Sequence, residues 1–162
     1  MADTSAPAPG YHFERDQFAL LLLRAFFPER SNSESALIRD FFREHLSEFD
    51  SIDFAVKVGA GLTPAPGLLP NVARAAVESS KKRIDVVAWA GGRPVLIEAK
   101  TIASHAVLGQ LLTDRHLWME QYPDGPEPRM VAIGRRTDSD SLSALHAQGI
   151  DVYIYPETES AR

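Results

Sequence analysis

Residues 84–100 read IDVVAWAGGRPVLIEAK, two β-branched, alternating runs that meet at Gly91-Gly92. A two-glycine junction between such runs is a strong hairpin signal, because the favoured hairpin turns need positive φ at the turn residues. Centring the turn on the glycines puts Ala90 opposite Arg93 and, further down, Asp85 opposite Glu98. Ile84, Val86, Ala88, Val95, Ile97 and Ala99 then share one apolar face. Asp85, Glu98 and Lys100 share the other, at the end away from the turn. Opposed carboxylates repel across a ladder, so folding alone does not favour this pair. A divalent cation removes the conflict. Mg²⁺ takes one or two carboxylates and fills the rest of its octahedron with water and phosphate oxygens. Lys100 beside it could stabilise charge developing on a phosphoryl group, or hold and deprotonate an attacking water.

Working outward, residues 13–27 are dense in Leu and Phe and predict a buried helix ending before Pro28. Leu37, Ile38, Phe41, Phe42, Leu46 and Phe49 fall at helical spacing and predict a second helix over 34–49. Ser31 and Glu34 have the spacing of a capping box. Residues 52–58 alternate as a strand, and the proline- and glycine-rich stretch 59–70 reads as a loop. Further helices are expected over 71–82, 104–121 and 138–148, and further strands over 130–133 and 150–155. The result is a mixed α/β fold whose early strands form a meander and whose later ones cross over helices.

The chain has 162 residues and 17.8 kDa, which suits a single domain, expected over 11–155 with polar tails at 1–10 and 156–162. Seventeen basic residues against 22 acidic ones give a net charge of −5, which excludes a histone-like binder but not a local basic patch. The absence of cysteine removes disulfides, thiolate metal sites and thiol nucleophiles. No stretch is apolar for the ~18 residues a membrane span needs, and residues 1–10 carry no secretory signal pattern, so a cytoplasmic setting is the expectation. Gly59-Ala60-Gly61 follows a strand, but Pro64 stands where a dinucleotide loop has its third glycine. The five histidines show no ligand spacing.

Asp85 followed by Glu98-Ala99-Lys100, closing a hairpin before a helix, resembles the D…(D/E)-x-K signature of the PD-(D/E)XK nuclease superfamily. The element order over roughly 31–155 resembles its αβββαβ core, here with an extra N-terminal helix. The resemblance implies a restriction-endonuclease-like fold and an Mg²⁺- or Mn²⁺-dependent nuclease or endonuclease acting on DNA. It also implies metal ligation by Asp85, Glu98 and the Ala99 carbonyl, with Lys100 as the catalytic lysine. Gln110 on the following helix and Glu34 on the first core helix match further site positions of the family. A tyrosine that often follows the glutamine by one turn is replaced by Asp114, and Ile84 stands where the name-giving proline would be. Lys81, Lys82 and Arg83 before the Asp85 strand, and Arg135 and Arg136 after the strand at 130–133, are candidate phosphate anchors. The small size and acidic balance also suit a homodimer or a protein partner. The alternative is an inactive nuclease-fold module that binds nucleic acid or a protein.

Overall fold

The computed structural model describes residues 10–23, 27 and 30–157. Strands β1 (Tyr11–Glu14), β2 (Ser51–Val58), β3 (Lys82–Ala90), β4 (Arg93–Ala99), β5 (Arg129–Gly134) and β6 (Ile150–Ile154) form one mixed sheet in the order β1-β2-β3-β4-β5-β6. The first four are antiparallel neighbours, whereas β4, β5 and β6 run parallel. The parallel pairs are joined through α4 (His105–Gln121) and α5 (Ser139–Ala147), which lie against one face. The other face carries α1 (Arg15–Leu21) and α2 (Asn32–His45). A further helix, α3 (Pro70–Ser80), stands between β2 and β3. No described helix is long and apolar enough to cross a membrane.

The hairpin forms in the expected register. Ala90 pairs with Arg93 and the ladder continues to Val86 opposite Ile97, with both turn glycines at positive φ. The sheet is covered on both sides, so the face opposite the expected apolar one is also packed. Phe54, Val86, Ala88, Val95, Ile97 and Ala99 pack under α1 and α2 with Phe18, Leu37, Ile38 and Phe41. Val87, Leu96, Met130 and Ala132 pack under α4 and α5 with Val107, Leu111, Trp118 and Leu145.

Ile84 corrects the alternation, since it belongs to the α4 side with Val56 and Val58 although Val86 and Phe54 face α2. Both strands therefore change face between those pairs. The change falls at Ala55, which holds φ 55°, and at Asp85 across from it, where the β2–β3 ladder skips a pair. A non-glycine residue in the left-handed region is a local departure of the kind that re-aims side chains beside functional sites.

The N-terminal region is the second correction. In place of a helix from Phe13, residues Tyr11–Glu14 pair with Ser51–Phe54 as an edge strand, and the helix starts at Arg15. The Phe-rich pattern is real but serves both elements, as Phe13 meets Phe54 edge to face and Phe18 stacks on it, each at 6.0 Å between centroids. The rest of the expected helix up to residue 27, and the tails up to residue 9 and from residue 158, lie outside the described residues. Pro70 occupies the first helical position of α3, one residue before the expected start at 71.

The edge strand is pinned by charge. His12 donates from Nδ1 to the buried Asp53 carboxylate at 2.5 Å and lies 3.0 Å from Glu14 through Nε2. Trp89 Nε1 donates to the other Asp53 oxygen at 2.8 Å. The bond to Glu14, then the bond to Asp53, raise the His12 pKa above its usual 6.5 against the opposing effect of burial. The raised value means that the ion pairs contribute fully below the unfolded pKa and are lost as pH rises through the folded one. The melting-temperature advantage of wild type over His12→Gln is thus expected to be largest below the unfolded pKa of 6.5 and to shrink as pH rises above it. An advantage that stays constant as pH rises would reduce His12 to a packing residue.

Candidate active site

Glu98 sits near the C-terminal end of β4, in the middle of the sheet, paired along the backbone with Ala132 of β5. Its side chain is 1% exposed. From α4, Gln110 Nε2 donates to Glu98 Oε2 at 2.8 Å, while Oε1 is buried without a hydrogen-bond partner. Lys100 Nζ lies 3.4 Å from that oxygen. The sequence order acid-x-Lys at a strand end produces this pair, since residues two apart on a strand point the same way.

Glu34 enters from the opposite layer. Ser31 caps α2, accepting from the Glu34 amide at 3.3 Å, and its own amide donates to Glu34 Oε2 at 3.3 Å. The remaining Glu34 oxygen, Oε1, accepts from Lys100 Nζ at 2.8 Å. One carboxylate thus closes a capping box and anchors a lysine 66 residues away. Burial pushes the Glu34 pKa up, but the bonds from Lys100 and Ser31 outweigh it and leave the group lowered. Burial likewise works against the Lys100 ammonium, and Glu34, Glu98 and Asp85 more than offset it, so its pKa is raised.

Two residues escaped the sequence reading. Arg30, immediately before the α2 cap, bonds Asp85 Oδ1 at 2.7 Å, with both side chains largely buried. Asp114, one turn beyond Gln110, is 4% exposed and keeps an unpartnered buried oxygen, Oδ2. Nothing local marks Arg30, whose partner lies on another layer of the fold. Asp114 was visible only as the residue standing where a tyrosine was expected.

The site is short of countercharge. Burial first, then repulsion from Asp85, raise the Glu98 pKa to about 8, with Lys100 pulling the other way and Asp114 adding to the rise. Burial and Asp85 raise Asp114 to about 7, with Lys82 opposing. Among the described residues no three His, Cys, Asp or Glu side chains gather as a ready-made metal cage. A magnesium site does not need one, because one or two carboxylates suffice and waters complete the shell. The hard oxygens of Asp85 and Glu98 suit such an ion, with Glu98 Oε1 free of hydrogen bonds and Asp85 Oδ1 held by Arg30. Ala99 is buried in the α2-side core, with its backbone paired to Ile133.

The basic candidates divide by position. Lys82 and Arg83 line a cavity of about 390 Å³ with Gln110, Thr113 and Asp114, next to the carboxylates. Lys81 pairs with Glu78 at 2.7 Å. Arg135 is turned to the α2 layer, donating to Asp40 at 2.8 Å and to the Tyr155 carbonyl at 3.0 Å. Arg136 is exposed beside the bridge it forms with Ile102.

No protein-family model matches this sequence, and no curated protein matches it. Two solved structures resemble the chain. One is a repair endonuclease from Pyrococcus abyssi, 16% identical, with a TM-score of 0.46 over 83% of this chain and 50% of that one. The other is EndoMS in a complex with double-stranded DNA, 17% identical, with a TM-score of 0.45 over 84% and 51%. The chain spans about half the length of each.

The Glu98 shift has a stability consequence. Its folded pKa of about 8 lies above the ordinary 4.5, so between those values the folded state holds more protons and stability falls as pH rises. In EDTA, wild type should lose about 5 °C or more of melting temperature relative to Glu98→Gln between about pH 5 and pH 8. Parallel curves for the two proteins would show that Glu98 carries no unfavourable buried charge.

Proposed function

We propose that the protein is a divalent-metal-dependent nuclease of the PD-(D/E)XK type that hydrolyses phosphodiester bonds in DNA. The observation that carries this reading is the Glu98 carboxylate, buried in the middle of the sheet, oriented by Gln110 through one oxygen and at the other without a hydrogen bond, facing only the Lys100 ammonium at 3.4 Å. DNA is the substrate class implied by the resemblance of Asp85…Glu98-Ala99-Lys100 to that superfamily.

Asp85 and Glu98 would hold Mg²⁺ or Mn²⁺, joined by the Ala99 carbonyl. Bound there, the ion supplies Lewis acidity toward a phosphoryl oxygen and lowers the pKa of a water. Gln110 keeps Glu98 Oε2 occupied, which leaves Oε1 for the ion. Lys100 remains an ammonium in the grip of Glu34, so it serves as a charged donor to the phosphoryl oxygens and not as the base that takes the water's proton. Glu34 is the positioning residue for that ammonium.

The contact of Arg30 with Asp85 favours a second reading, a module in which a guanidinium has taken the place of the ion. Cleavage assays separate the two. Wild type incubated with plasmid, linear and single-stranded DNA in Mg²⁺ or Mn²⁺ is expected to cut, and Glu98→Ala is expected not to. Lys100→Ala should lose ~10²–10³-fold in turnover, the usual cost of one charge-stabilising donor. Absence of cleavage by wild type on every substrate would establish the inactive module.

Glu34→Gln separates cap from site. Glutamine keeps an acceptor for the Ser31 amide, so stability should change by only a few tenths of the ~1 kcal/mol typical of a lost cap. It weakens the hold on Lys100, and activity should fall at least ~10-fold, or ~1.4 kcal/mol of barrier. Full activity in Glu34→Gln with instability in Glu34→Ala would leave Glu34 as a cap alone.

A further inference from the structure

Between β2 and β3 the chain leaves the core. From Gly59 to Arg83 no residue is buried, and α3 contributes none to either core cluster. This arm is nonetheless built. The Leu62 amide donates to Ser80 Oγ at 2.7 Å, and the Gly59 amide to Gln121 Oε1 at 3.2 Å. Gly61 holds φ +73° so close to α3 that a Cβ there would stand 2.5 Å from the Val77 carbonyl oxygen. An isolated helix of 11 residues is marginal in water, and this one displays apolar side chains to it. Leu68, Leu69 (68% exposed) and Val72 are exposed at the N-terminal end of α3, and Leu62 (73% exposed) at its other end beside Ser80.

The charge carried by the arm bears on what covers its leucines. Between Asp53 and Asp85 there are five basic residues and a single acid, Glu78, in a chain where acids outnumber bases by five. Glu78 itself is taken by Lys81 at 2.7 Å and faces Lys57 at 3.8 Å. The base of the arm is also the wall of the site, since Lys82 and Arg83 share a cavity with Gln110 and Asp114. A polymer whose phosphate lies at Asp85 and Glu98 must therefore run past the arm.

We infer that the 59–83 arm grips duplex DNA, placing Leu68 and Leu69 in the minor groove while Arg74 and Lys82 take phosphates. Apolar wedges flanked by basic residues are a recurrent way to hold a minor groove, unstacking a base step to enlarge the contact. The inference rests on the nuclease reading for the location of the substrate. It adds the surface that holds it.

The test uses the full chain and a fluorescent 30-base-pair duplex in EDTA, followed by anisotropy. Leu68→Ser combined with Leu69→Ser should weaken binding at least ~10-fold. Arg74→Ala should lower the slope of log affinity against log salt by about 1, the signature of one lost phosphate contact. A duplex carrying 2-aminopurine should brighten with wild type and not with the serine variant. Hydrolysis of bis(p-nitrophenyl) phosphate in Mn²⁺, too small to reach the arm, should stay within about twofold of wild type in every arm variant. Unchanged duplex affinity in the serine variant would overturn the inference. So would sedimentation showing a wild-type dimer that the serine substitutions dissociate, which would make these leucines a contact between two copies. If wild type fails to hydrolyse the small ester while duplex binding still depends on the leucines, the arm stands and the nuclease reading falls.

Discussion

A carboxylate with almost no solvent, in the middle of a sheet covered on both faces, is the constraint to which the rest of this molecule answers. Burying an ion costs several kcal/mol unless partners repay it. Glu98 receives one hydrogen bond from Gln110 and a flanking ammonium from Lys100, while Asp85 and Asp114 add negative charge to the same region. Arg30 and Glu34 are the outer members of this arrangement, one neutralising Asp85 and the other tethering Lys100. The deficit that remains falls on Glu98 and Asp114, whose pKa values rise into the neutral range. A structure optimised for stability alone would place a leucine at residue 98.

The sheet departs from regularity at the same place. β2 and β3 both turn over between the Phe54–Val86 pair and the Val56–Ile84 pair, with Ala55 in the left-handed region at the crossing. That turnover releases Asp85 from a purely core-facing or solvent-facing role and delivers it to the end of the sheet, where the α2 and α4 layers both reach. Lys100, one residue beyond β4, bridges the layers, with Glu34 on one side and Glu98 on the other. Rule-breaking backbone and buried charge at one spot is what is expected where stability yields to function.

Much of this was legible in local patterns. Gly91-Gly92 set the hairpin register, whose ladder ends at Val86 opposite Ile97, one pair short of Asp85 and Glu98, and the two acids still feel each other's charge. The capping box of Ser31 and Glu34 was legible from spacing, whereas the bond from Lys100 to Glu34 joins residues far apart in sequence. What escaped depends on contacts distant in sequence. Strand β1 is four residues long and is defined by pairing with β2, so its phenylalanines looked like the start of the following helix. The face change at Asp85 requires Ala55 on another strand, and Arg30 meets its partner across the fold. Asp114 has the composition of a surface residue, and only the packing of α4 onto the sheet buries it. Alternation in one strand cannot show that both faces of a sheet are covered.

The account turns on whether the strain around Glu98 exists to receive a cation. Titrating Mn²⁺ into the protein and following the free ion by electron paramagnetic resonance measures this without substrate and without turnover. Wild type is expected to remove Mn²⁺ from solution, Lys100→Met to do so at least as well, and Glu98→Gln and Asp85→Asn to lose that capacity. Equal Mn²⁺ uptake by wild type and Glu98→Gln, or none by wild type, would contradict it.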